Sequence, residues 1–166
     1  MTSPILRAEA RVTLAGPIQM MEKLCDHFIE HGKVDRAERS ARVEFDFGSA
    51  SVEADDSSLY LRAEGADATG LAYVKWSLAE HILDFAVGEH PRIAWSGDGT
   101  AGEPLPYFRE MHIVSATNIT PRMRRVRLKG ADLARFAIGG MHVRLLFPAR
   151  PGIAPQWPVM GEDGRP

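Results

Sequence analysis

Hydrophobic and polar positions alternate near the start of the chain and predict a half-buried strand. Ala10, Val12 and Leu14 are apolar, and the residues between them are polar. A period of two places the apolar set on one face of a strand. Gly16 and Pro17 break the alternation, and proline suits the first position of a helix. The sequence therefore predicts a strand followed directly by a helix.

Two stretches have helical spacing. The first starts at Pro17, with a left-handed cap expected at Gly32, and the second runs from about Ala68 to Val87 and ends at Gly88. Apolar residues recur every three or four positions in both, as expected for helices that cover a core. These residues are Ile18, Met21, Leu24, Cys25 and Phe28 in the first helix and Leu71, Val74, Leu78, Ile82 and Phe85 in the second.

Three more strands are predicted between the helices. Alternation is strict in residues 43–47, 52–54 and 59–63, with turns at Gly48–Ser49 and Asp55–Ser58. The element order is β-α-β-β-β-α. The sequence therefore predicts an α+β fold in which two helices cover one face of a four-stranded, mostly antiparallel sheet. We assign this domain to residues 1–88.

The second half of the sequence indicates another unit. Residues 89–106 are rich in glycine and proline, which is typical of a linker. Residues 107–166 are strand-like, with strands near Ile113 and over 123–128, and a third strand at 142–147. Between them we expect Asp132 to cap a short helical turn.

The two halves carry opposite charge. Residues 1–106 contain ten Lys and Arg against eighteen Asp and Glu, a net charge of −8, whereas residues 107–166 carry +6. The acidic half is a poor nucleic-acid binder, and the arginines of 122–127 lack interleaved aromatic residues that would stack on bases. The basic half could hold an anion. No apolar run approaches the roughly 20 residues that span a bilayer, and the single Cys25 excludes an intramolecular disulfide. We expect no nucleic acid and no membrane partner, and a reducing cytoplasm.

Four segments of the second half occur in a specific order. They are His112–Leu128, Asp132–Phe136, His142–Pro148 and Trp157–Pro166. Together they resemble the opening of the siderophore-interacting protein family, the flavin-dependent ferric-siderophore reductases. The resemblance implies a six-stranded FAD-binding barrel, a following NAD(P)H-binding domain and reduction of chelated Fe(III) to Fe(II), which frees the iron.

The same resemblance assigns a role to Arg144. In the family, a basic residue at this place in a His-x-Lys/Arg-Leu-x-Phe-Pro strand is thought to attract the anionic ferric-siderophore. A fixed guanidinium group holds such anions well. The family's flavin-gripping Arg-x-Tyr-Thr/Ser motif and its nicotinamide domain are absent from this sequence. We therefore expect a truncated barrel that by itself holds no FAD and transfers no hydride.

The first half resembles a second family, the small bacterial domains grouped as DUF2218. The resemblance covers about residues 6–88 and implies no assigned chemistry. Domains of this family occur alone or fused ahead of siderophore-interacting domains. The segments that carry it are Leu24–Phe28, Phe45–Gly48, Glu53–Asp55, Leu59–Leu61 and Ala79–Ala86.

Three histidines are weak candidates for a metal site. His27 and His31 share a face of the first helix at i and i+4, and His81 lies on the second helix. If both helices cover one sheet face, the three imidazoles converge near Cys25, and a Zn or Fe site is conceivable. The alternative is that His27 and His81 are half-buried packing residues whose ring nitrogens bond to the backbone or to a carboxylate.

Acidic residues cluster at Glu53, Asp55 and Asp56. Such a group can do acid/base work if burial separates the pKa values, but a turn rich in Asp and Ser needs no chemistry. Cys25 lies in an apolar stripe and is expected to be a small core residue.

Two functions remain open from the sequence. The chain is the N-terminal portion of a ferric-siderophore reductase, or it is a non-enzymatic module that binds a small ligand or a protein and carries a vestigial barrel tail. In the second case the exposed barrel strands could pair in a homodimer.

Overall fold

The computed structural model describes residues 4–138, 142–150 and 152–166. The chain forms two compact units. The first contains the residues up to Pro106 together with residues 158–166, and the second contains residues 107–157.

The first unit is an antiparallel sheet with two helices, in the sheet order β2-β3-β4-β5-β1-β6. The N-terminal strand β1 lies inside the sheet, between β5 and β6. In chain order, the elements are β1 (Leu6–Thr13), α1 (Pro17–Phe28), β2 (Lys33–Arg36), β3 (Ser40–Phe45), β4 (Gly48–Ala54), β5 (Ser58–Gly65), α2 (Ala68–Phe85) and β6 (Ser96–Gly97).

The predicted α+β class is confirmed, but the sheet has six strands instead of four. Neither added strand has an alternating pattern. Val34 is the sole apolar residue of β2, and β6 is two residues long. Both are edge strands that exist through backbone pairing, with β3 and β1 respectively. The predicted turn at Gly48–Ser49 is also wrong, because the turn is at residues 46–47 and Gly48 begins β4.

The core lies between one face of the sheet and the two helices. Strands β1, β3, β4 and β5 alternate buried and exposed residues, as the sequence predicts. Full burial of one leucine or valine contributes about 1.5–3 kcal/mol relative to exposure. The apolar stripe of α2 supplies Leu71, Val74, Leu78 and Ile82, all buried, and α1 supplies Met21, Leu24, Cys25 and Phe28.

The helix ends follow from local sequence. Pro17 is the first residue of α1, and the Asp67 carboxylate caps α2 by accepting a hydrogen bond from the Gly70 amide at 2.8 Å. The expected left-handed cap at Gly32 is wrong, since α1 ends at Phe28 and its C-cap residue, Ile29, is right-handed. At Gly32 a side chain would instead meet the Glu44 carbonyl of the neighbouring strand.

Residues 89–106, which the sequence predicts as a linker, belong to the first unit in the structure. Ile93, Trp95 and Leu105 are buried. The C-terminal segment, residues 158–166, pairs with this stretch, whereas the sequence assigned it to the barrel. Its contacts include the Trp95 amide donating to the Glu162 carbonyl at 3.0 Å and the Gly102 amide donating to the Met160 carbonyl at 2.8 Å.

A buried lysine lies beneath this segment. Lys75 on α2 is 1% exposed, and its ammonium group donates to the carbonyls of Asp98 and Gly99. Burial lowers the pKa of Lys75, opposed by Glu103 and Asp98. The Trp95 indole lies 5.9 Å from the ammonium nitrogen, ring centre to Nζ, and shields it from water.

Gly164 fits where a side chain would not. Its φ of +83° is left-handed, and an added Cβ would lie 2.9 Å from Lys75 Cβ and 3.2 Å from Trp95 Nε1. The indole Nε1 donates to the Asp163 carbonyl at 2.9 Å. We call this group of four residues, Lys75, Trp95, Asp163 and Gly164, the Trp95 latch.

The second unit contains a two-stranded hairpin. β7 (Met111–Thr120) pairs with β8 (Met123–Gly130), with a β-bulge at Val114, and a 3₁₀ turn follows at Ala134–Ala137. The register places Ile113, Ala116, Val126 and Leu128 on one face and His112, Ser115, Arg125, Arg127 and Lys129 on the other.

Two expectations for this unit are wrong. Residues 142–147 form no strand, because an alternating pattern needs a partner strand, and β7 and β8 pair only with each other among the described residues. Phe147 is accordingly 65% exposed. Asp132 does not cap the helical turn, since Leu133 occupies the cap position and the Asp132 carboxylate pairs with the Arg109 guanidinium.

No helix among the described residues is both long enough and apolar enough to cross a membrane.

The Trp95 latch gives a prediction about stability. We expect Gly164→Ala to destabilise folding by more than the control Gly88→Ala, which is also left-handed but has nothing within 4 Å of an added Cβ. The control loses about 1 kcal/mol from left-handed strain. The latch variant loses a further ~1 kcal/mol or more from overpacking and shifts Trp95 fluorescence to the red. Chemical denaturation followed by tryptophan fluorescence measures the loss of stability and the spectral shift. Equal losses of stability in the two variants would contradict the tight packing of the Trp95 latch.

Candidate functional site

The three candidate histidines lie close together, with His27 in contact with both of the others. The prediction that His31 lies on the first helix is wrong, because α1 ends at Phe28 and His31 lies in the turn that follows. The ring centroids of His27 and His81 are 4.1 Å apart with planes tilted by 34°, and those of His27 and His31 are 4.9 Å apart. His81 Nδ1 lies 2.7 Å from the Ser77 carbonyl, so this nitrogen carries the hydrogen.

Aromatic side chains surround this group. The Phe28 ring packs edge-on against His27 at 5.4 Å and His81 at 5.2 Å, and Phe85 contacts both imidazoles. Burial lowers the pKa of His27 first, and the neighbouring His81 and His31 lower it further. The environment therefore favours neutral imidazole at His27.

The structure does not add a metal-ligand geometry to this cluster. In residues 4–138, 142–150 and 152–166, no group of three or more His, Cys, Asp or Glu residues is arranged to hold a metal ion. Cys25 is buried, and burial raises the pKa of its thiol. The contacts support the packing interpretation of both His27 and Cys25.

Asp55 and Asp56 of the acidic cluster lie in a turn, and Glu53 is an exposed residue of β4. The Asp55 carboxylate accepts hydrogen bonds from the Ser57 amide at 2.8 Å, the Ser58 amide at 2.7 Å and the Tyr60 hydroxyl at 3.0 Å. The bond from the Ser57 amide is the main reason that the pKa of Asp55 is lowered. Asp56 pairs with Arg39 at 2.9 Å. Because the Asp55 carboxylate accepts these hydrogen bonds, its contacts are those of a turn residue and not those of a proton donor.

The outer face of the sheet carries a network of ion pairs. The Glu64 carboxylate lies 2.9 Å from Arg7 Nε and 3.5 Å from Arg42 Nη2. Burial would raise the pKa of Glu64, but hydrogen bonds and charge from the two arginines lower it overall. Beside them, Arg62 pairs with Glu9 at 2.8 Å. Alternation predicts that these residues face solvent, but it does not show which of them pair.

An open groove of about 680 Å³ lies beside the second half of β1, beyond the two residues that pair with β6. Arg11 and Thr13 line one wall and residues 89–92 with Ala94 line the other. A second cavity of about 430 Å³ lies where residues 14–16 meet the end of α2. Sequence reasoning missed both, because the lining residues are far apart in the chain. It also missed Lys75, although its spacing of four from Leu71 and three from Leu78 places it on the apolar stripe.

The structure places Arg144 at the surface. It lies in the irregular stretch of residues 142–148, exposed. The basic residues Arg125 and Arg127 of β8 are exposed as well. Their guanidinium groups are accessible to an anion, and the role of Arg144 stays a prediction.

The hairpin of the second unit is open among the described residues. Most of the hairpin is exposed on both faces, with Met111, Ala116 and Leu128 half-buried. Sites for ligands of this size bury most of the ligand surface. The described part of residues 107–157 therefore does not fit FAD by itself.

Fold and charge together define a compact α+β domain that precedes a basic hairpin unit. Residues 9–96 match the DUF2218 family, described as an uncharacterized protein conserved in bacteria. This match covers more than half of the chain, which therefore belongs to the DUF2218 family. Residues 112–166 match the siderophore-interacting FAD-binding domain, a family that implies FAD in its full-length members.

A solved structure shows the same fold. The chain is similar to the protein of the "NMR structure of PA4090 from Pseudomonas aeruginosa", with a TM-score of 0.50 and 20% identity. The similarity covers 55% of this chain and 95% of that one. No curated protein matches this chain.

The histidine cluster predicts a pH dependence of stability. Because the folded pKa of His27 lies below the ordinary 6.5, the unfolded chain takes up the proton more readily. The contribution of neutral His27 to the free energy of unfolding is therefore complete above pH 6.5. It is lost as the pH falls toward the pKa of His27 in the folded chain. We expect His27→Gln to reduce the fall in the urea midpoint between neutral and acidic pH. The exposed His90→Gln is the control, and an unchanged slope in His27→Gln would contradict this role.

Proposed function

We propose that this chain is the N-terminal portion of an FAD- and NAD(P)H-dependent ferric-siderophore reductase that acts in iron release in the cytoplasm. The observation that carries the proposal is the match of residues 112–166 to the siderophore-interacting FAD-binding domain, directly after the DUF2218 domain. When bound in the whole enzyme, FAD would supply the electrons that reduce Fe(III).

The hairpin geometry supports this proposal. One face carries the apolar residues Ile113, Ala116, Val126 and Leu128, and Ile113 is 56% exposed. The other face is basic. In a barrel, one face of every strand turns inward and is covered by the remaining strands. We infer that further strands cover the apolar face in the whole enzyme, and that residues 1–166 alone are inactive.

Arg144 would act in substrate binding. Ferric complexes of catecholate and carboxylate siderophores are anionic, and an accessible guanidinium attracts them through charge and paired hydrogen bonds. The excess of basic residues in 107–166 raises the local concentration of such anions. Arg144 would bind and orient the chelate and would not itself carry electrons.

A second function is favoured by the open groove beside β1. A non-enzymatic binding module needs a concave surface, and residues 89–94 form one with Arg11 and Thr13. In that case the hairpin would be a remnant, and its uncovered edges would pair in a homodimer.

The size and colour of the native product distinguish the two functions. An affinity tag placed before Met1 at the chromosomal locus should recover a yellow protein larger than 18.3 kDa that oxidises NADH or NADPH in the presence of a ferric-siderophore. Recovery of a colourless product of 18.3 kDa plus the tag would contradict the reductase proposal and favour the binding module.

Substitution of Arg144 tests its role in that native enzyme. We expect Arg144→Ala to raise KM for the anionic ferric-siderophore about ten-fold, which corresponds to loss of one charge-assisted hydrogen-bond pair. The rate with menadione, an uncharged acceptor, should stay unchanged, and Arg144→Lys should restore part of the loss. The exposed Arg150→Ala is the matched control. An equal rise in KM in the two alanine variants would show that Arg144 is not part of the binding site.

A further inference from the structure

Arg11 differs from every other arginine of the first unit. Within the described residues of this unit, each of the other seven has a carboxylate within ion-pair distance, and Arg11 has none. The seven are Arg7, Arg36, Arg39, Arg42, Arg62, Arg92 and Arg165. The domain carries a large excess of acidic residues, so an arginine without a carboxylate is not explained by a shortage of partners.

The Arg11 side chain is nevertheless held in place. Its Nε donates to the Ser58 hydroxyl at 3.2 Å, and its guanidinium carbon lies 5.3 Å from the centre of the Tyr60 ring. Both partners come from β5, which pairs with β1 over its whole length. A guanidinium fixed by stacking and one hydrogen bond loses little further freedom when it binds an anion.

Arg11 is also placed in the larger groove. It forms one wall with Thr13, and residues 89–92 with Ala94 form the opposite wall. Glu89 and Arg92, which also line the groove, have contacts of their own. The Glu89 carboxylate accepts from the Ala15 amide at 3.1 Å, and Arg92 pairs with Glu162 at 2.9 Å. Of the two arginines that line the groove, Arg11 is therefore the one without a carboxylate partner among the described residues.

We propose that this groove binds the carboxylate of a small organic acid, with Arg11 as the anchoring residue. Two N–H groups of the guanidinium fork match the two oxygens of a carboxylate. Pro91 and Ala94 provide apolar wall for the rest of the molecule. A single positive charge next to Glu89, in a domain of net charge −8, favours one carboxylate over a phosphate dianion. The site is independent of the hairpin and of the proposed reductase function.

Titration with sodium benzoate, followed by ¹⁵N NMR of the whole chain, tests the site. We expect saturable shifts at the side-chain Nε–H of Arg11 and at the amides of Thr13 and His90. Arg11→Gln should weaken binding about ten-fold or more, since the charge-assisted hydrogen bonds are lost. The matched control is Arg7→Gln on the same strand and face, which should bind within two-fold of the original because Arg7 already pairs with Glu64.

Three outcomes would overturn the proposal. These are the absence of saturable shifts with benzoate, equal weakening by Arg11→Gln and Arg7→Gln, and tighter binding of inorganic phosphate than of benzoate at the same residues. Thermal unfolding of both variants shows whether each is folded. If Arg11→Gln is unfolded, Arg11→Lys replaces it, since it keeps the charge but loses the fork and should bind more weakly than the original chain.

Discussion

The insertion of β1 between β5 and β6 is the constraint on which the first unit depends. The N-terminal strand pairs with β5 at every position from Leu6 to Thr13 and supplies buried alanine and valine to the core. Its other edge pairs with β6, which directly follows Trp95 of the Trp95 latch. Its polar residues face outward, where Arg7 joins the ion-pair network and Arg11 enters the groove. A one-residue slip of β1 would reverse both faces together.

The elements that could be predicted from the sequence are those with strong periodicity. Pro17 and the apolar stripes define α1 and α2, and alternation defines β1 and the β3-β4-β5 meander. The short edge strands could not be predicted, because pairing with an existing strand creates them and their own residues carry little pattern. The reverse holds at residues 142–147, where the expected strand has no partner among the described residues to pair with.

The candidate sites show the same division. The proximity of His27 and His81 could be predicted, because two helices on a shared sheet face bring them together. His31 contacts His27 from the turn after α1, which helical spacing does not predict. The imidazoles of His27 and His81 also pack against the rings of Phe28 and Phe85. This ring packing could not be predicted, because the sequence pattern gives no distances between side chains. The unpaired state of Arg11 could not be predicted at all. The lack of a carboxylate partner distinguishes Arg11 from the other arginines only when the ion pairs of the whole sheet are known.

The pairing of Pro104 with Val159 has a topological consequence. The polypeptide leaves the first unit at Pro106 and rejoins it at Pro158, so residues 107–157 are an insertion closed at its base. For such a loop, the entropy of closure grows slowly, by about 0.6 kcal/mol for each doubling of length. The host domain can therefore accept insertions of very different size at this position with little loss of its own stability.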